Sequence, residues 1–230
     1  MPLHLLLISR SSDVTRWSRT APAHPQCAQV RWVVHEALAA ATVWPPTASF
    51  QPLAHARLLE AIHRRIDLVP VRFGVTLPEE LAVQELLRRR QESLLRALDR
   101  LQGTGELGVR LERSTQAGLP IPVLPSGESA AACSPVEYLA MRRRQYARTD
   151  AREEWARRVA HDCRQAIAGL YRDWRSLAAV RPEMLRLAFL VPRDHWQACH
   201  DRLTSWINTA SSLHGTPLGP WPPFSFVSPE

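Results

Sequence analysis

The chain has 230 residues, of which 45% are hydrophobic and 22% charged, and its 29 basic and 22 acidic residues give a formal net charge of +7. A chain of this length can bury a large core, and its 8 Trp residues argue against disorder. No apolar run is long enough for a signal peptide or a membrane helix, and the 4 Cys form no Cys-x-x-Cys pair. These features predict a cytoplasmic protein without a membrane partner, a disulfide framework or a zinc site.

The first third of the chain predicts a small α+β unit. Apolar runs indicate strands at 3–8, 29–34 and 38–43, with a loop at 9–28. Apolar residues at helical spacing then predict an amphipathic helix over 52–65. A strand follows at 66–74, and Pro70 restricts it to a sheet edge or a bulge because proline has no N–H to donate.

The clearest helix signal covers 76–103. Thr76 and Glu79 have the spacing of a capping box, Pro78 lies in the first turn, and Gly103 supplies the stop. Alternating apolar residues over 107–111 predict a half-buried strand directly after this helix.

The second half of the chain begins with a connector at 114–133 that contains several Pro and Gly. A capping box at Ser134 and Glu137 opens a helical stretch to about Ala179. Its narrow apolar stripe suits a helix that packs on one partner, and it contains Trp155, Val159, Cys163, Ile167, Leu170, Trp174 and Leu177. A strand at 184–191, a helix at 194–213 that Gly215 ends, and a Pro-rich aromatic tail complete the chain.

The order of these elements predicts the fold class. From residue 66 onward, and without the helical stretch, the order is most of a ferredoxin-like βαββαβ pattern. We therefore expect an α+β protein with a small N-terminal α+β domain (1–66) and a modified ferredoxin-like C-terminal domain (67–218). A helical insertion at about 134–179 extends the second domain, and a C-terminal tail (219–230) packs across both. We expect Trp221 to be buried at the domain junction.

No catalytic or metal-binding constellation stands out. The segment 103–108 matches Gly-x-Gly-x-x-Gly, but it follows a helix and opens a strand, which reverses the order of a dinucleotide site. His195, Cys199 and His200 cluster on one helix, yet no further ligand has a matching spacing. The sequence also has no P-loop and no Gly-x-Ser-x-Gly elbow. We expect no enzyme activity, no cofactor and no metal.

The basic excess raises the alternative of a nucleic-acid-binding protein with a ferredoxin-like domain. Arg144, Arg148 and Arg152 lie four residues apart and form a stripe on the long helical stretch. Against this alternative, the same stretch contains favourable i,i+4 pairs between acidic residues and arginines, which are typical of a solvated helix. The strand at 106–112 also has no aromatic residue on which RNA bases could stack. We expect no nucleic-acid partner.

Two segments about 150 residues apart carry a family resemblance. They are 69–74 (Val-Pro-Val-Arg-Phe-Gly) and 219–227 (Gly-Pro-Trp-Pro-Pro-Phe-Ser-Phe-Val), and with them the sequence resembles the gas vesicle protein GvpL/GvpF family. The match continues through shorter motifs between the two segments: Leu86-Leu87, Glu106–Val109 and Glu137-Tyr138-Leu139 with Arg142 and Arg143. It runs from about Leu53 to Val227. This chain departs from the family pattern at Phe224, where Tyr is common, and in its opening strand, which has no Tyr-Gly.

The resemblance implies a fold and a role. Family members have an N-terminal α+β domain and a modified ferredoxin-like C-terminal domain, joined by the tail. The implied role is that of a non-enzymatic accessory protein of gas vesicles, the air-filled shells that provide buoyancy. It would bind the small hydrophobic shell protein and other accessory proteins during vesicle nucleation or assembly, in the cytoplasm at the gas vesicle. The F or L subtype and the oligomeric state stay open.

The candidate interface residues follow from the family motifs and the arginine stripe. They are Pro70, Arg72, Phe73, Gly74, Tyr138, Leu139, Arg142, Arg144, Arg148, Arg152, Trp221, Pro222, Pro223 and Phe224.

Overall fold

The computed structural model describes residues 2–20, 30–43, 51–114, 135–181 and 183–227. Its strands form two antiparallel sheets, and helices pack on both. The predicted α+β class is confirmed.

The first sheet is built around the apolar strand that opens the chain. Its strands are β1 (Leu3–Arg10), β2 (Val30–His35), β3 (Leu38–Val43), β4 (Val69–Pro70) and β5 (Thr76–Leu77). The order is β2-β3-β1-β4, and β5 also pairs with β1. Because β1 lies in the centre of this sheet, its side chains from His4 to Ser9 are buried.

Helices cover both faces of the first sheet. On one face, α1 (Ser11–Thr20) and α2 (Pro52–His63) contribute Trp17, Leu58 and Ile62 to a core with Leu6 and Leu7 of β1. The other face is covered by α3 (Glu80–Arg89) and α4 (Gln91–Leu101), which bury Val83, Leu87, Leu94 and Leu98 against Leu5 and Ile8.

The second sheet has the strand order β7-β8-β6-β9, with strands β6 (Thr104–Arg113), β7 (Asp173–Leu177), β8 (Met184–Pro192) and β9 (Leu213–Trp221). The helices α5 (Pro135–Ala166) and α6 (Trp196–Thr209) pack on one face of it. From β6 to β9 the elements follow the order strand, helix, strand, strand, helix, strand, which is the order of a ferredoxin-like pattern.

The two sheets share a hydrophobic core. Ala188 and Leu190 of β8 point away from α5 and α6 and join the cluster that contains Leu94 and Leu98 of α4. Phe226, in the tail, lies in the same cluster and is 0% exposed.

A polar contact ties the second sheet to the end of α2. Arg193 follows β8, and its guanidinium donates to the carbonyls of His63 and Ile66 at 2.9 and 3.3 Å. It also pairs with Asp67 at 2.9 Å, and Asp67 accepts a hydrogen bond from the Gly103 N–H at 3.0 Å. One side chain therefore connects α2, the start of β6 and the end of β8.

Two predictions in the first third of the chain are wrong. Residues 11–20, which fall within the predicted loop, form α1, and Trp17, 4% exposed, packs this mostly polar helix into the core. The predicted strand at 66–74 pairs with β1 only at Val69–Pro70, and a turn at Phe73–Gly74 follows, where Gly74 adopts a φ of +94°.

The predicted helix at 76–103 differs at its start and its middle. Thr76 pairs with His4 in β5, so it forms no capping box, and α3 begins only at Glu80. The helix breaks at Arg90, whose φ of −109° and ψ of 14° lie outside the helical range; the Arg90 carbonyl accepts both the Leu94 N–H at 2.9 Å and the Ser93 hydroxyl at 3.0 Å. The stop at Gly103 is confirmed, because Gly103 has a φ of +67° in the turn before β6.

The predicted helical stretch at 134–179 is too long. The α5 helix ends at Ala166, Gly169 adopts a φ of +79° in the following turn, and β7 occupies 173–177. Trp174 and Leu177 therefore lie on a strand, where they pack on opposite faces of the sheet. As a result α5 is the first helix of the βαββαβ order and does not interrupt it, and that order begins at β6, after residue 103.

The predictions for the end of the chain need three corrections. Asp194 lies in a 3-10 turn before α6, and Gly215 lies in β9, where a Cβ would meet the Arg110 carbonyl at 2.7 Å. Trp221 ends β9 opposite Glu106 and is 41% exposed, because β9 is an edge strand. The buried aromatic residue is Phe226. The division of the chain at residues 66 and 219 into domains stays a prediction, and the first sheet extends to Leu77.

Candidate functional site

The two family segments, distant in sequence, meet at one cleft. The cleft has a volume of about 580 Å³ and lies between α4, the segment after β4 and the tail. It is lined by Leu5, Ile8, Val69, Pro70, Val71, Arg72, Val75, Leu86, Arg90, Ser93, Leu94, Arg96, Ala97, Arg100, Phe224 and Val227. We refer to it as the α4 cleft.

The segment 71–75 forms one wall of the α4 cleft and is held at both ends by β1. The Val71 N–H donates to the Leu6 carbonyl at 2.9 Å, and the Leu5 N–H donates to the Val75 carbonyl at 3.0 Å. Between these bonds the chain turns at Gly74 and leaves Arg72 exposed. The positive φ at Gly74 explains why this position of the motif is a glycine.

Two histidines support this wall from behind. His55 Nε2 lies 2.9 Å from the Val71 carbonyl, so it donates, and His55 Nδ1 then accepts from His4 Nε2 at 3.2 Å. The Phe73 ring packs on both imidazoles, with centroid distances of 5.2 Å to His4 and 5.6 Å to His55. Burial lowers the pKa of His4 and of His55, which favours the neutral rings that this chain of hydrogen bonds requires.

The tail forms the second wall and is fixed by a buried carboxylate. Glu106 accepts hydrogen bonds from the Ser225 N–H at 2.8 Å and from the Ser225 hydroxyl at 2.7 Å. Arg100 donates to the Phe226 carbonyl, and the Arg175 guanidinium lies 5.5 Å from the centroid of the Phe226 ring. Burial raises the pKa of Glu106, while the bonds from Ser225 and the charge of Arg175 act in the opposite direction.

The third wall is α4, and it contributes two of the arginines that line the cleft, Arg96 and Arg100. Ser93, Leu94, Ala97 and Arg100 are spaced at three and four residues, so they share one helix face. The described lining contains four arginines and no Asp or Glu. Such a cleft favours a ligand that is apolar and also carries an anionic group.

The structure brings some of the predicted interface residues together. Pro70, Arg72 and Phe224 line the α4 cleft, Phe73 and Gly74 form the turn behind its wall, and Pro222 and Pro223 are buried at the start of the tail. Trp221 lies outside it, exposed at the end of β9.

The predicted residues on α5 lie apart from the cleft. Leu139 is 58% exposed, Arg152 is exposed, and the Arg142 guanidinium donates to the Tyr146 hydroxyl at 3.0 Å. The side chains of Tyr138, Arg144 and Arg148 fall outside the described part of the structure, so the proposed arginine stripe cannot be traced.

Sequence reasoning missed the arginines of α4. Arg90, directly before α4, and Arg96 and Arg100 within it border the apolar residues of that helix. The signal for these arginines in the sequence was that they lie next to apolar residues of the same helix that must pack on another segment. Glu106 was also missed, although a carboxylate within an apolar strand indicates a buried polar partner.

The remaining candidates have structural roles. His195 Nδ1 and the Cys199 sulfur both lie near the Leu170 carbonyl, at 3.3 and 3.7 Å, so they stabilise the turn after α5. Among the described residues no three His, Cys, Asp or Glu gather closely enough to hold a metal ion. No described helix combines the length and apolar character needed to cross a bilayer.

Comparison with solved structures identifies the same architecture in two proteins. The gas vesicle protein GvpF from Anabaena sp. PCC7120 matches 100% of this chain and 97% of its own, with a TM-score of 0.71 and 17% identity. GvpF from Microcystis aeruginosa matches 98% of both chains, with a TM-score of 0.70 and 13% identity. At these identities the match shows a common fold.

Sequence comparison identifies the family. A search of curated protein sequences finds no match to the chain. The sequence profile of the family described as gas vesicle synthesis protein GvpL/GvpF matches residues 17–228. This range includes both segments that form the α4 cleft, and it confirms the resemblance inferred from them. The chain therefore belongs to the GvpL/GvpF family of gas vesicle proteins.

Proposed function

We propose that this protein is a non-enzymatic accessory factor that binds the gas vesicle shell protein and other gas vesicle proteins during nucleation or assembly. It acts in the cytoplasm, at the forming vesicle. The observation that carries the proposal is the meeting of the two family segments, 69–74 and 219–227, at one surface cleft. Parts of both segments pack in the core, but Arg72 of the first and Phe224 of the second stay accessible in the cleft, where a ligand can contact them.

The architecture supports recognition as the basis of this activity. The α4 cleft offers apolar surface and arginines, and its histidines form hydrogen bonds within the wall. On α5, Arg142 contacts Tyr146 and Arg158 pairs with Glu154, so these arginines are engaged within their own helix. That arrangement favours a protein partner over a phosphate backbone, which needs arginines available along one surface.

The test uses a gas-vesicle-forming host that lacks its own copy of this gene. Expression of the full chain should restore vesicles seen by electron microscopy, and the tagged chain should co-purify with the shell protein. Double-stranded DNA and single-stranded RNA are titrated against the same preparation. Failure of the full chain to restore vesicles, or tight nucleic-acid binding without capture of the shell protein, would contradict the proposal.

A further inference from the structure

We propose that the α4 cleft binds a short apolar segment of a partner protein that carries Asp or Glu side chains. This inference rests on the proposed function and deepens it, because it names the chemistry of the segment that this chain would recognise on another gas vesicle protein.

The apolar part of the segment is indicated by the surfaces of the cleft. Its floor is formed by Leu5, Ile8 and Val69, which belong to the core shared by the two sheets. Around the floor, Val71, Leu86, Ala97 and Phe224 are only half-buried, and Val75 is 39% exposed. Covering these side chains removes apolar surface from water, which is favourable in proportion to the area covered.

The acidic part of the segment is indicated by charge. Arg72, Arg90, Arg96 and Arg100 surround the apolar floor, and no described lining residue is acidic. Beyond the cleft the surface is mixed in charge, because Glu92 lies among Arg89, Arg90 and Arg96. Arg72 is exposed, so its guanidinium can reach a carboxylate on a bound segment. Arg96 is also exposed and pairs with Glu92 one turn earlier, an exposed ion pair that a carboxylate on the segment can share or replace. Guanidinium groups bind carboxylates through two parallel hydrogen bonds, which adds direction to the charge attraction.

A peptide fits this cleft better than a small amphiphile. One end of the cleft is already made of peptide, since Phe224 and Val227 of the tail line it. Arg100, at the rim, binds a main-chain oxygen, the carbonyl of Phe226. The tail, whose residues Phe224–Phe226 form a 3-10 turn, therefore shows how the cleft accommodates an apolar peptide segment beside α4.

The test is site-specific photocrosslinking during vesicle formation. A photoreactive amino acid replaces Val75 in the cleft, and the matched control replaces Val180, which is 78% exposed after β7. Crosslinked peptides are identified by mass spectrometry. We expect the Val75 probe to capture a partner peptide in which Asp or Glu alternates with aliphatic residues. Capture of a lipid, of a peptide without acidic residues, or of nothing beyond the Val180 control would overturn the proposal.

Charge reversal provides the second measurement. Arg72→Glu and Arg96→Glu should each lower the yield of the Val75 adduct at least about tenfold, because they place like charges together. The control is Arg57→Glu, since Arg57 is exposed on α2, which covers the opposite face of the first sheet. Thermal melts of the purified variants verify that each is folded. If one of the two reversal variants does not fold, the adduct yield of the other one decides the test. An equal loss with Arg57→Glu, or no loss with the cleft variants, would contradict the proposal.

The two proposals fail in different ways. If the full chain restores vesicles and Arg72→Glu restores them equally well, with an unchanged crosslink, the cleft is not the binding surface and the proposed function stands. If the full chain does not restore vesicles, the proposed function itself is wrong.

Discussion

Two helices of this protein are rich in arginine, and their surroundings differ. On α4, arginines border an apolar cleft that opens toward the core shared by both sheets. Both helices contain arginines bonded within the helix, Arg96 to Glu92 on α4 and Arg142 to Tyr146 on α5, but on the first half of α5 the described side chains are mostly exposed. The density of arginine along the sequence therefore does not locate a binding surface. What sets α4 apart is the apolar cleft beside its arginines, which is the proposed binding surface.

The largest expected effect tests the core on which α4 depends. Phe226→Ala should reduce the free energy of unfolding by about 3–5 kcal/mol, because the ring is 0% exposed between α4 and both sheets. Tyr146→Ala on α5 is the control, since its ring is 57% exposed, and it should change stability by less than about 0.5 kcal/mol. Urea unfolding measures both. A similar loss of unfolding free energy in both variants would contradict the expectation that the core beside α4 is more important for stability than the exposed half of α5.

A second effect comes from pH and from His63, at the end of α2. Burial lowers the pKa of His63 to about 4, and the nearby charge of Arg193 adds to the shift. Above pH 6.5 the group is neutral in both states and contributes nothing. As the pH falls from 6.5 to 4, the unfolded chain takes up the proton first, so stability falls by about 3 kcal/mol in total, and below pH 4 this contribution is constant.

Urea midpoints measured between pH 7 and pH 4 test this dependence. His63→Gln should flatten the curve in that window, although His4 and His55 act in the same direction because burial also lowers their pKa. A curve with the same slope in His63→Gln as in the parent would show that His63 does not contribute.

The smallest expected effect concerns the attachment of the tail beside α4. Ser225→Ala removes the hydroxyl that donates to Glu106 at 2.7 Å and leaves the N–H bond at 2.8 Å in place. A hydrogen bond to a charged group contributes about 1.5–3 kcal/mol, so we expect a loss at the lower end of this range. Ser176→Ala, at an exposed position of β7, is the control. Limited proteolysis should cleave the tail faster in Ser225→Ala, and equal rates would contradict this.

The parts of the fold that sequence predicted have strong local signals. The strand around 3–8, the helix near 52–63 and the strand at 184–191 are apolar or periodic over most of their length, and packing only reinforces that pattern. The errors occur where tertiary contacts decide. Two-residue strands such as β4 are too short to show a periodic pattern. Trp174 has the spacing of a helical apolar stripe, and only the pairing of β7 with β8 shows that it lies on a strand.

The candidate site was predictable only in part. The sequence identified 69–74 and the tail as related by family, and it placed Arg72 and Phe224 among the interface candidates. The sequence did not predict that α4 lies between these two segments. Helix periodicity indicates which face of a helix is buried, but it does not indicate which segments pack against that face. Trp221 and Phe226 illustrate the same limit: both are aromatic residues in one Pro-rich segment, and the pairing of β9 with β6 exposes the first and leaves the second to enter the core.

The Arg193 contact has a mechanical consequence. Its guanidinium bonds the carbonyls of His63 and Ile66 and the carboxylate of Asp67, so a movement of the second sheet away from the end of α2 would cost three bonds of one side chain. The 32 residues of α5 extend about 48 Å at the rise of an α-helix. Its C-terminal half packs on the second sheet through Trp155, Val159, Cys163 and Ile167, so the helix carries the exposed Leu139 and Tyr146 on a segment that is anchored to that sheet.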